Sequence, residues 1–127
     1  MAKNPDERRY YGIRRTSRDT LNARFATAAD TLGSEAPAIR LAGIYAMAGL
    51  ADDWPENRQT CVDVLCGYLR MPYEPDPGEK APEPERLAFR ASREVRHTVI
   101  RVIVAHLKDL LAYPLPLAQI RCPAGAG

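Results

Sequence analysis

The sequence contains no long hydrophobic run. Its longest apolar stretch, residues 98–107, is interrupted by Arg101 and His106, far short of the ~20 apolar residues needed to cross a bilayer. The start lacks the short apolar core of a secretory signal. Cysteines are few and odd in number: Cys61, Cys66 and Cys122, with no CxxC spacing, so neither a disulfide framework nor a zinc ribbon is indicated. These absences predict a cytoplasmic protein with free thiols. Aromatics are scarce at 7%, a poor supply for a β-sandwich, which also wants more Val, Ile and Thr. A net charge of +2 is too small to imply a polyanionic partner by itself.

What remains is a 127-residue chain, 46% hydrophobic and 27% charged, sufficient for one domain with its own core. Alanine is abundant, which suits close-packed helices. Charge is unevenly placed. Residues 1–18 hold Lys3, Arg8, Arg9, Arg14, Arg15 and Arg18 against Asp6 and Glu7, whereas 71–84 hold Glu74, Asp76, Glu79 and Glu83 against Lys80 alone. The expected organisation is a basic arm at 1–16, a helical domain at 17–111 and a disordered tail at 112–127, where three prolines break any periodicity.

Within the arm, Asn4-Pro5-Asp6-Glu7 has the order of a helix start, and Gly12 weakens a continuous helix, so a frayed helix and a flexible arm are both open. Leu21, Phe25, Ala28, Ala29 and Leu32 recur at helical spacing and predict a helix over 17–32, stopped by Gly33. Ser34 is placed to cap the next helix, whose body at 38–51 carries Arg40 as its only charge. Large Leu41, Ile44, Tyr45 and Leu50 alternate there with small Ala and Gly, a pattern expected of a helix buried between neighbours. Asp53 and Glu56 have capping-box spacing ahead of a helix to Arg70, with Val62, Leu65, Cys66 and Leu69 on one face. Five prolines make 71–84 an extended acidic loop. Helix returns over 85–111, with a break near Ser92 as one option, on Val95, Val99, Val102, His106 and Leu107. The β-branched run 99–104 would also suit a strand, but its length and polar spacing favour helix.

Two segments rhyme: Ile39-Arg40 and Val95-Arg96 each open an apolar helix body preceded by an amphipathic one. An aliphatic–Arg pair at that place resembles the HEAT repeats of α-solenoids, which implies an aliphatic side chain entering the core and an arginine reaching a neighbouring turn. Hairpins of this kind stack because one alone cannot bury its apolar face. A more specific resemblance covers residues 21–107. The stretches RFATAADTLGSEAPAIRLAGIYAMAGLADDW, RQTCVDVLCGYLRMPYEPDPGE and REVRHTVIRVIVAHL are similar to the helical domain of actinobacterial pentapeptide-repeat proteins. In that family the domain often follows transmembrane helices and precedes a β-helix of five-residue repeats. Neither flanks it in this sequence, which implies the helical module alone, as in a truncated or frame-disrupted copy. The resemblance carries over no catalytic residue.

Other chemistry is thinly represented. His97 and His106 fall on different faces without the convergent ligands a metal needs. Cys61 and Cys66 point apart, with Cys66 on the apolar face. Asp52, Asp53 and Trp54 could form an acid pair beside an aromatic platform, but a turn and a cap account for them. Arg8, Arg9, Arg14 and Arg15, interleaved with Tyr10 and Tyr11, are candidate anion contacts.

The fold expected is all-α, two stacked helical hairpins forming a short HEAT-like α-solenoid. Its packing residues are Leu21, Phe25, Leu32, Leu41, Ile44, Tyr45, Val62, Leu65, Leu69, Val95, Val99, Val102 and Leu107. The function expected is a non-enzymatic protein-interaction or scaffold module, binding a protein partner or itself, with no catalytic residue, cofactor, metal or small-molecule substrate. Its rival is a nucleic-acid or anionic-membrane binder acting through the basic arm, the latter at the inner face of the membrane.

Overall fold

The computed structural model describes residues 4–112, excepting the side chains of residues 7, 10–16, 107 and 109–112. It is all-helical among these residues. The elements are α1 (Pro5–Leu32), α2 (Pro37–Asp53), a single 3₁₀ turn (Pro55–Asn57), α3 (Arg58–Arg70) and α4 (Glu83–Ala112). They make two hairpins, α1–α2 and α3–α4, and α2 packs against all three other helices.

α1 is one helix from Pro5, with no break at residue 17 where the arm was expected to give way to the domain. The start signal accounts for this: the Asn4 side chain accepts the Asp6 N–H at 3.2 Å, and Pro5 occupies the first turn, where its missing N–H costs nothing. Gly33 ends the helix, its N–H on the Ala29 and Asp30 carbonyls. The next two boundaries differ from expectation. Ser34 is not the cap of α2; its Oγ accepts the Ala36 N–H at 3.1 Å in the preceding turn, and the capping position is Ala36, ahead of Pro37. Asp53 does not form a capping box with Glu56, because it closes α2 and reaches sideways to Arg24 of α1 at 2.9 Å. α4 passes Ser92 without a break.

The core is small and lies around the inner side of α2. Ile44, Met47 and Leu50 meet Ala28 and Leu32 of α1, Cys61 and Leu65 of α3, and Val95 and Val99 of α4, all buried. Burying each large aliphatic contributes about 1.5–3 kcal/mol before chain entropy is set against it. Leu21, Phe25, Leu41 and Leu69 pack on this core from partly buried positions, while Val62 and Val102 are buried. The Leu107 side chain is outside the described set.

Tyr45, expected inside, is 61% exposed. Ile44 points into the core, and Tyr45, ~100° further round the helix, falls beyond the covered arc with Ala42 and Ala46. Cys61 and Cys66 are both buried, and it is Cys61 that joins the central cluster, since α3 is covered by both α2 and α4. The expectation of free thiols holds for Cys61 and fails for Cys66, which is disulfide-bonded. A disulfide at Cys66 removes the free thiols as a sign of a reducing compartment. No helix among the described residues is long and apolar enough to cross a membrane.

Polar contacts fix the two ends of the bundle. At one end the C-terminus of α2 is held by Arg24–Asp53, by His106 Nε2 at 3.0 Å from Asp52 Oδ1, and by Arg58 Nε donating to the Ala51 carbonyl at 2.9 Å. At the other end Arg40 near the start of α2 donates to the Tyr68 hydroxyl at 3.3 Å. Arg96 donates there to the Leu69 carbonyl at 2.9 Å and lies 4.0 Å over the Tyr73 ring, fastening the acidic loop to the C-terminus of α3.

Candidate functional site: the outer face of α2

α2 is the most apolar helix, yet only one side of it is covered. Arg40, Leu41, Gly43, Ile44, Met47, Ala48, Leu50 and Ala51 face its neighbours, wholly or partly buried. Ala38, Ile39, Ala42, Tyr45 and Ala46 are exposed. Those five residues and Gly49 carry no charge and form a strip running up to Asp52. The expectation of a helix buried between neighbours is met on the inner side, and this outer side is left open. Alanine and glycine are too small to reveal from composition which arc is covered.

The two glycines of α2 show the difference. A Cβ on Gly43 would stand 2.7 Å from Thr31 Oγ1 and 2.8 Å from the Leu32 backbone nitrogen, so α1 crosses α2 at a distance only glycine permits. A Cβ on Gly49 would meet nothing within 4 Å. Glycine at either position costs about 1 kcal/mol of helix propensity relative to alanine. At Gly43 the crossing offsets that cost, and at Gly49 no contact within the described residues does.

α4 borders the strip. Arg101 donates to Glu94 Oε1 and to Thr98 Oγ1, both at 2.9 Å, and the Thr98 hydroxyl donates to the Glu94 carbonyl at 2.8 Å. The hydrogen bond from Arg101 and its guanidinium charge hold the Glu94 carboxyl below its usual range. The strip thus has an apolar floor and a polar, ordered edge, the pattern of many protein-binding surfaces.

The other candidates are placed as follows. Val95 enters the core as the HEAT resemblance implied, whereas its counterpart Ile39 is 47% exposed and does not. Both arginines of the rhyme nevertheless reach the end of α3, at Tyr68 and Leu69. The Arg40 Nε is buried without a partner. Asp52 and Asp53 serve inter-helix contacts and Trp54 is buried, so they do not assemble an open acid pair. The Asp52–His106 contact was missed from sequence because its members are 54 positions apart. His106 Nδ1 donates to the Val102 carbonyl at 3.0 Å, which turns Nε2 toward Asp52 without an aligned hydrogen bond. His97 is exposed. Cys61 is a free, buried thiol whose burial pushes its pKa up, away from the reactive thiolate. No group of three or more His, Cys, Asp or Glu side chains able to hold a metal occurs among the described residues. Arg8 and Arg9 are exposed on α1, and Arg14 and Arg15 lie on the same helix with side chains outside the described set.

Comparison with protein-family models, with curated proteins and with solved structures finds no match to this chain.

Proposed function

We propose that this chain is a non-enzymatic protein-interaction module that receives a partner helix on the outer face of α2. The observation carrying this reading is the open strip Ala38–Ile39–Ala42–Tyr45–Ala46–Gly49, with a glycine whose close-packing capacity is unused among the described residues. Small side chains let two helix axes approach, so dispersion contacts accumulate along the crossing. Tyr45 adds a large anchor with a polar tip, a residue type favoured at the centre of interfaces. Hairpins in which α2 touches both members of the following pair suit a short HEAT-like stack, an architecture that works by presenting surface. The resemblance to the helical module of actinobacterial pentapeptide-repeat proteins points the same way, toward a unit that works beside other domains.

The test is Ala46→Glu, paired with Tyr45→Glu. Both sites are exposed, so circular dichroism and melting temperature should stay near wild type, while association with the native partner at physiological salt falls tenfold or more, about 1.4 kcal/mol. Unchanged association in both variants would exclude this face.

A second reading rests on the basic first half of α1, where Arg9 and Arg18 are exposed. That stretch would contact phosphates of nucleic acid or an anionic membrane, with binding that falls steeply as salt rises.

A further inference from the structure

The α2–α3 core leaves two segments projecting in opposite directions. α1 packs chiefly on α2, to which it is antiparallel, and Arg24–Asp53 marks where it passes the C-terminal end of α2. Residues 5–20 lie beyond that point, and Asp6, Arg9, Ser17, Arg18, Asp19 and Thr20 are exposed there. Sixteen helical residues extend ~24 Å. Within them, 8–18 hold five arginines and no acid. The acids Asp6 and Glu7 stand in the first turn, where the helix dipole favours them.

The acidic segment leaves from the other end. Arg40–Tyr68 and Arg96–Leu69 place the end of α3 beside the start of α2, and the Arg96–Tyr73 stack holds the loop there. Residues 74–85 carry Glu74, Asp76, Glu79, Glu83 and Glu85 against Lys80. The side chains of all six are exposed. Between the two segments stands the full length of α2, 17 residues or ~25 Å. That gap is several times the ~8 Å screening length at physiological salt, so the two charges do not satisfy each other within one chain.

We propose that they satisfy each other between chains: the arginine-bearing half of α1 docks on the 74–85 segment of a second copy. Each copy offers both surfaces at opposite ends, so the contact is heterologous and head-to-tail, extending into open chains unless a rotation closes it. The opposite charge densities and their opposed placement favour this occupant over a nucleic acid, which would also bring phosphate against the acidic end of a neighbouring copy. The surface differs from the α2 strip, so this inference stands apart from the function proposed above.

The experiment is a charge swap on the full chain, read by light scattering over a concentration series at about 20 mM and about 500 mM salt, on either side of effective screening. The wild type should gain mass with concentration at low salt and return toward the 14.1 kDa monomer at high salt. Arg9→Glu/Arg14→Glu/Arg15→Glu/Arg18→Glu and Glu74→Lys/Asp76→Lys/Glu79→Lys should each remain monomeric alone. Mixed, they should associate again, since each then offers the complement of the other. Circular dichroism confirms that both variants keep their helices, and the mixing arm shows function regained. A wild type that stays monomeric at low salt overturns the proposal. So does a mixture that fails to associate, or salt-sensitive binding of duplex DNA or anionic vesicles without self-association. Loss of self-association in Ala46→Glu would also overturn it, assigning the contact to α2 and leaving the proposed function standing.

Discussion

Gly43 and Gly49 sit six residues apart in α2, yet α1 presses on the first and nothing among the described residues presses on the second. The same contrast runs along the helix. The inner arc, Ile44, Met47 and Leu50, is fully buried, whereas the outer arc, Ala38, Ile39, Ala42, Tyr45 and Ala46, is uncharged and lies open. An inner arc of this kind is explained by the fold. An open apolar arc costs solubility and returns no packing, so its explanation belongs to what the fold is for.

The largest test of the contrast is Ile44→Ala, which should cost about 2–5 kcal/mol of unfolding free energy by opening a cavity at the centre of the core. Denaturant titration measures it, and a loss under 1 kcal/mol would mean that the inner arc is not the core. Gly43→Ala comes next. The added methyl forces α1 away from α2, and the overpacking cost of about 1–3 kcal/mol exceeds the propensity gain. Gly49→Ala should have the opposite sign, stabilising by about 0.5–1 kcal/mol because its methyl meets open space and alanine favours helix. Equal signs at the two glycines would erase the distinction between the arcs.

The smallest effect lies at the edge of the strip. Arg101 depresses the Glu94 carboxyl, so its contribution is present above the unfolded-state value and is lost as pH falls through the folded one. A carbon-detected NMR titration should find Glu94 titrating below an ordinary glutamate, and Arg101→Ala should return it to the usual range. An unshifted Glu94 in the wild type would mean that this edge is not ordered.

Much of the helical layout can be read from residues. Asn4-Pro5, Gly33 and the proline run at 71–84 are local signals, and the boundaries near them fall within a few residues of their places. The inner positions of α3 and α4 follow from periodicity, because charged and polar residues mark much of their outer faces, although Leu87, Ile100 and Val104 of α4 are exposed. α2 defeated that logic: with both arcs apolar, hydrophobic spacing cannot say which is covered, and Tyr45 and Ile39 fell on the open side. Ser34 and Asp53 misled for a related reason. Each has the chemistry of a cap, and the competing partners, Ala36 N–H and Arg24, are set by the turn and by the α1–α2 packing. The strip itself was legible only as an apolar helix, since exposure is a property of the assembled bundle.

The most direct test of the outer face is a photo-crosslinking residue at position 46 in the native host, compared with one at position 79 on the exposed acidic loop. A partner helix on α2 predicts a discrete adduct from position 46 and none of the same mass from position 79. No adduct from position 46, or the same products from both positions, would contradict the assignment of α2 as the binding face.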